Sequence, residues 1–174
     1  MQSAYSQDGE QIDEVVVWGR SLQLLGNADS ASKGIVGYSD FSTRPLARVA
    51  ELVEVVPGMI ATQHSGPGKA NQYFLRGFNL DHGTDLAIKV DGLPVNMPSH
   101  AHGQGYADIN FLIPELVEHM EYRKGPYYAE IGDFGTAASS EFVYVDALEQ
   151  GSLTLTAGQD DYRRAFAGNT LDIG

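Results

Sequence analysis

The chain has 174 residues, 43% of them hydrophobic and 10% aromatic, which suits one packed domain with appendages rather than a disordered polymer. Eleven basic residues against 23 acidic ones give a net charge of −12, which repels phosphate backbones and anionic lipid surfaces, so no nucleic-acid partner is expected. No window approaches the roughly 20 apolar residues of a spanning helix, leaving a barrel as the route to any bilayer role, and the lack of cysteine excludes a disulfide framework or a thiolate metal site.

After Met1 the segment QSAYSQDGEQ has neither the basic nor the apolar region of a secretory leader, and residues 1–11 are polar, acidic and aperiodic. Then comes IDEVVVWG, in which Glu14 precedes the β-branched run Val15, Val16 and Val17, closed by Trp18 and Gly19. A strand set in a hydrophilic arm can add to the sheet edge of another protein, where main-chain hydrogen bonds supply affinity. It can equally be the first strand of the domain's own sheet. Residues 21–33 read as a connector and 34–39 as a short strand.

Ser42 or Thr43 can cap a helix that tolerates Pro45 in its first turn, with Leu46, Val49, Ala50, Leu52 and Val53 at helical spacing and Pro57 and Gly58 ending it. A flexible loop, SGPGKA at residues 65–70, leads to a strand over 72–78. Arg76 in that strand needs carboxylates or carbonyls around it, unless it snorkels to the surface. LAIKVDGLPV reads as a strand, an Asp91-Gly92 turn and a return.

The densest polar constellation is NMPSHAHGQGYAD at residues 96–108. It holds Asn96, His100, His102, Gln104 and Asp108, and a second loop at 79–85 adds Asp81, His82 and Asp85. Histidines and carboxylates suit Zn, Cu, Ni or Fe, so His100 and His102 are candidate ligands of a transition metal or metal chelate, while backbone hydrogen bonding or solvent exposure remains the plainer role. No resident cofactor is expected.

Residues 113–135 read IPELVEHMEYRKGPYYAEIGDFG, a strand rich in charge that enters a Gly-Pro turn. Four or five ionisable groups exceed what a half-buried strand usually carries, so they either answer charges elsewhere or defend a solvated edge. VEHMEYRKGPYYAEIG resembles the signature IERIEVLRGPASALYG of the plug domain of TonB-dependent outer-membrane receptors. Glu118 and Glu121 fall on the family's glutamates, Gly125 and Pro126 on its turn, and Gly132 on the glycine after the aromatic. Lys124 stands where arginine is usual, Ile131 where tyrosine is usual, and TAASSEFVYVD replaces the family's GGVIN.

The resemblance extends to the PG turn at 57–58, the RG at 76–77 and the DG at 91–92. It implies that Glu14, Val15, Val16 and Val17 act as a TonB box, recruiting the TonB C-terminal domain by strand addition. It implies that Asp81, His82, Asn96, His100, His102 and Gln104 face a small-molecule substrate. Arg76, Glu118, Glu121 and Lys124 would form a charge lock within the plug and toward the receptor's own β-barrel. Such a receptor sits in the bacterial outer membrane, its plug inside the barrel and its arm in the periplasm.

Past Ser140 the pattern changes. Leu153, Leu155 and Ala157 alternate with Thr154, Thr156 and Gly158 before a QDD turn and YRRAFAGN, as in the first hairpin of a barrel. Open edges predict that this hairpin is disordered alone or pairs with something unnatural.

The fold expected is α+β: a small mixed four-stranded sheet from segments near 59–64, 72–78, 86–91 and 117–123, with short helices, long loops and a truncated barrel hairpin. The arm spans 1–31 with its box-like segment at 12–19, the plug 32–147 and the first barrel strands 148–174. There is no G-x-S-x-G elbow or P-loop spacing, and Glu118 and Glu121, three apart, face opposite sides of a regular strand and cannot share a proton. An energy-coupled uptake receptor for a metal chelate or similar scarce nutrient is therefore expected, not an enzyme. The alternative is a periplasmic or secreted soluble metal-binding protein or enzyme built on the His100/His102 loop, which a short reading frame would favour.

Overall fold

The computed structural model describes residues 30–46, 48–63 and 68–171; Glu14, Val15, Val16 and Val17 lie outside the described residues. The centre is a five-stranded mixed sheet in the order β1 (Lys33–Gly37), β7 (Val117–Lys124), β8 (Ala138–Tyr144), β5 (Leu86–Val90), β6 (Leu93–Pro94). Only the β5–β8 pair is parallel, with Leu86 opposite Ala138 and Val90 opposite Phe142. A second sheet of three strands, β2 (Met59–Thr62), β3 (Gln72–Leu75) and β4 (Phe78–Asn79), is a simple meander. The α+β class expected from sequence is the class observed; the strands divide between two sheets, and the strand over 138–144 lies at the heart of the larger one.

One continuous core joins the two sheets. Leu52, Val53 and Val56 pack with Tyr73 and Leu75 of the meander and with Ile88, Met120 and Phe142 of the large sheet, all of them buried. At about 25 cal/mol per Å² of apolar surface removed from water, each such side chain contributes on the order of 2 kcal/mol.

The helix expected from Ser42 onward is shorter than the spacing suggested. A one-turn α-helix spans Tyr38–Phe41, and a 3₁₀-helix spans Val49–Val55, entered through the extended Arg48. Pro45 disfavours helical geometry in the residue before it, and the β-branched Val49, Val53 and Val55 lose rotamer freedom in a helix. The tighter helix still turns Ala50, Leu52 and Val53 inward.

Two turns follow their sequence chemistry. Asp91 and Gly92 both take positive φ, 48° and 77°, and connect β5 to β6 as a two-residue hairpin. Arg76 (φ 50°) and Gly77 (φ 84°) do the same between β3 and β4. Arg76 therefore sits at an exposed hairpin tip and not inside an apolar strand.

β7 carries a bulge between Val117 and His119, where the register against β8 slips by one residue. The extra residue lets Val117 and Met120 both reach the core and brings Glu118 and Glu121 to either side of His119. The expectation that the two glutamates face opposite ways is thus corrected: strict alternation does not survive a bulge.

Residues 152–168 form an ordered hairpin of β9 (Ser152–Ala157) and β10 (Arg163–Gly168), paired in register from Ser152 opposite Gly168 to Ala157 opposite Arg163. This differs from the disorder or unnatural pairing expected. The hairpin is anchored by a bidentate ion pair between Arg164 and Glu115, of which the second contact measures 2.7 Å. A cleft of about 310 Å³ separates it from the rest of the fold, walled by Phe41 and Leu46 on one side and Thr154 and Tyr162 on the other.

Candidate substrate-contact site

The loop that runs from β6 to Tyr106 is closed at its base. Met97 and Tyr106 pair through their backbones, the Met97 N–H donating to Tyr106 at 2.9 Å and the Gly105 N–H to Met97 at 2.8 Å. His100 and His102 lie exposed in the closed loop, with Gln104 beside them. The 81–83 turn approaches from below, where the Ala107 N–H donates to the His82 carbonyl at 2.8 Å.

That turn is strained. Asp81, His82 and Gly83 all take positive φ, 37°, 65° and 115°, and left-handed geometry costs a non-glycine residue about 1–3 kcal/mol. Gly83 could not be replaced without collision, because a Cβ there would lie 2.7 Å from the Ala107 Cβ. The surrounding hydrogen bonds enforce the shape: Asn79 accepts from the Asp81 N–H at 3.1 Å, and the Thr84 hydroxyl donates to the Asp81 carbonyl at 3.1 Å.

The consequence is that His82 turns inward and is 1% exposed. Its Nδ1–H donates to the Ala70 carbonyl at 2.8 Å, with the Asn71 carbonyl at 3.2 Å. Ala70 is held in turn, its N–H donating to the Tyr106 hydroxyl at 2.6 Å. The His82 and His102 rings meet edge to face with centroids 4.5 Å apart, while His100 stacks flat on Tyr106 at 4.1 Å. One ligand atom from each of Asp81, His82 and His102 lies within 4.8 Å of the others.

The pairing of His100 with His102 therefore resolves differently from the sequence expectation. His100 Nδ1 accepts the His102 backbone N–H at 3.1 Å, and His102 groups with Asp81 and His82. Asp108 does not join them; its carboxylate accepts from the Asn110 backbone and side-chain N–H groups at 2.9 and 2.8 Å.

Asn96, expected to face substrate, is a buried clamp at 7% exposure. Its oxygen accepts the Ile88 N–H at 2.7 Å, and its amide donates to the carbonyls of Gly83, Leu86 and Gly105 at 3.0, 2.9 and 2.8 Å. One side chain thus ties the 81–83 turn, β5 and the histidine loop together. Tyr73 closes the floor, its hydroxyl donating to the Ala107 carbonyl at 3.3 Å; burial, then the charges at Asp108 and Tyr106, pushes that phenol above its ordinary range. Neither the clamping role of Asn96 nor the Ala70–Tyr106 link was visible in sequence. The Gly following Asp-His in LDHGTD was the one local hint of an unusual turn.

The four residues expected to lock do not pair with one another. Arg76 reaches Ser32 Oγ at 3.2 Å and the Ala31 carbonyl at 3.4 Å, because the hairpin tip aims it at the entry to β1, away from Glu118 and Glu121. Lys124 is 3% exposed and donates to the Pro57 carbonyl at 2.8 Å, with Tyr122 beneath its ammonium at 5.2 Å. Burial, and secondarily the charge of Arg76, holds its pKa below the usual lysine range. Glu118 and Glu121 flank the His119 ring at 3.6 and 3.9 Å.

The large sheet's second face is charged. Arg123 stands opposite Lys33 across the β1–β7 pair, and Glu121 stands opposite Glu141 across β7–β8. Lys89 is the parallel neighbour of Glu141. Arg123 ion-pairs with Glu130 at 2.6 Å and lies 5.0 Å from the Tyr128 ring.

Residues 28–139 match the model of the TonB-dependent Receptor Plug Domain family. Among solved structures, the ferric enterobactin receptor PfeA from Pseudomonas aeruginosa is similar at 24% identity with a TM-score of 0.56, over 73% of this chain and 19% of that one. The siderophore receptor PirA from Acinetobacter baumannii is 19% identical with a TM-score of 0.50, over 71% and 18%. The copper transporter OprC is 21% identical with a TM-score of 0.54, over 82% and 22%. The chain thus spans about a fifth of the length of the solved proteins it resembles.

Proposed function

The chain belongs to the family of TonB-dependent receptor plug domains, and from that premise we propose that it gates energy-coupled uptake of a small-molecule nutrient through an outer-membrane β-barrel. The family is one of transport and not of catalysis. The observation that carries the reading is the charged second face of the five-stranded sheet. Lys33, Lys89, Glu121, Arg123 and Glu141 crowd charges of both signs onto the one face of the sheet that the core leaves uncovered. A barrel lumen is polar, and a stopper seated in one needs such a face toward the wall. Glu118 and Glu121 are half-buried on the same strand and remain available to barrel charges.

The hairpin supports the same reading. Leu153 and Leu155 are 72% and 74% exposed, whereas Thr154 and Arg164 turn toward the plug. Apolar outward and polar inward is the alternation of a barrel strand facing lipid on one side and lumen on the other.

In this mechanism substrate arrives on the face formed by Asp81, His102 and Gln104. The plug shifts when the inner-membrane partner pulls the arm, gripping Glu14 to Val17 as an added strand. Energy comes from that partner. The test is binding of the purified chain to the TonB C-terminal domain by calorimetry. Val16→Pro removes a main-chain donor from the added strand and should abolish binding while the thermal melt stays unchanged; equal binding by the variant overturns the strand-addition step.

A further inference from the structure

We infer that Asp81, His82 and His102 form a binding site for a divalent late-transition metal ion, offering two imidazoles and one carboxylate. The inference rests on the uptake reading above and names its substrate class: the metal itself, or a metal carried with open coordination positions.

Tautomers decide which histidines can serve. A metal-binding imidazole commonly donates its other ring N–H to a carbonyl, which fixes the ring and places the lone pair on the remaining nitrogen. His82 has this arrangement, since its Nδ1–H is given to the Ala70 carbonyl at 2.8 Å and Nε2 then bears the lone pair. His100 has the reverse. Its Nδ1 accepts the His102 amide at 3.1 Å, so in the neutral ring the proton sits on Nε2 and neither nitrogen is left to ligate. Stacking on Tyr106 at 4.1 Å also holds that ring flat against the loop.

Geometry agrees. His82 is buried and fixed, whereas Asp81 and His102 are exposed, the His102 ring resting edge to face on His82. One ligand atom from each residue lies within 4.8 Å of the others, close to the spacing that a single ion at bond lengths of about 2.0–2.2 Å requires. The left-handed run at Asp81, His82 and Gly83 is what turns one side chain inward and keeps its neighbour out. Two nitrogens and one oxygen suit Cu(II), Ni(II) and Zn(II), with Cu(II) expected tightest, and three protein donors leave positions open for water or a chelator. The net charge of −12 favours cation approach.

The test is titration of the purified chain with copper(II) and zinc(II) against a weak glycine competitor, alongside copper(II) electron paramagnetic resonance. One equivalent should bind, with nitrogen couplings from two imidazoles. His102→Ala should lose one coupling and about tenfold or more in affinity, and Asp81→Asn should weaken binding severalfold, whereas His100→Ala should stay within about twofold. All three positions are exposed, so melts should coincide and loss cannot be blamed on unfolding. Equal losses from His100→Ala and His102→Ala, or wild-type binding no stronger than that of His102→Ala, overturn the site. Neither outcome touches TonB binding through Val16, so the site can fall while the plug reading stands, and the reverse.

Discussion

Asn96→Ala should be among the most damaging single changes outside the apolar core. Two amide hydrogens shared among the carbonyls of Gly83, Leu86 and Gly105, plus the accepted Ile88 N–H, amount to three hydrogen bonds. At about 1 kcal/mol net each this is about 3 kcal/mol, and stranding the buried Ile88 N–H raises the loss toward about 4 kcal/mol. Asn96→Asp sharpens the test. It keeps an acceptor for Ile88 but aims a carboxylate oxygen at three carbonyl oxygens, so the folded state raises the pKa of the new carboxyl above its unfolded value. A raised carboxyl pKa means that the charge penalty is absent below the unfolded pKa and grows as pH climbs through the folded one. Urea unfolding followed by circular dichroism, at about pH 4 and about pH 8, should show the gap between Asn96→Asp and wild type widening with pH. An Asn96→Ala loss within about 1 kcal/mol of wild type, or a pH-independent gap for Asn96→Asp, would refute the clamp.

Gly83→Ala should cost roughly 3 kcal/mol or more, since φ is 115° and the new methyl would meet Ala107 and the Gly105 carbonyl, whereas Gly92→Ala, with φ 77° and open space, should cost only about 1 kcal/mol; matched melting curves decide between them. At Glu115, burial alone would raise the carboxyl, but hydrogen bonds from Arg164 and its own backbone, with the Arg164 charge, hold it below the ordinary range. A depressed carboxyl stabilises above its unfolded pKa and stops doing so as pH falls through the folded one, so hairpin anchoring should weaken below about pH 4. Hydrogen exchange over residues 152–168 should record the change, and Arg164→Ala should remove its pH dependence. If the variant keeps it, the ion pair is not the anchor.

Local chemistry was legible wherever a residue dictates its own backbone. Asp91-Gly92 called for a tight hairpin and forms one, and the segment entering Gly125-Pro126 is the eight-residue strand β7. Non-local pairing was not legible. β8 contributes Ala138, Ser140 and Phe142 to the interior, and two of these three are too small or polar to read as core. Its parallel pairing with β5 spans about fifty residues of sequence, which no short pattern encodes.

The site divides in the same way. Histidine-rich loops were visible as composition, but the identity of the inward ring depends on a left-handed turn and a carbonyl from another loop. Asn96 looked like a loop residue open to substrate, and the backbone around it made it a brace. The glutamates of β7 looked opposed until a single bulge brought both beside His119.

The central claim is that these residues stop a barrel. Its most direct measurement is outer-membrane permeability to a large antibiotic in cells producing the receptor gene that carries this chain, with residues 32–147 deleted in frame. An assembled barrel without its stopper should leave an open lumen, and the cells should become sensitive to the antibiotic while those with the intact gene stay resistant. Unchanged resistance, with the truncated barrel shown to be assembled in the membrane, would contradict the account.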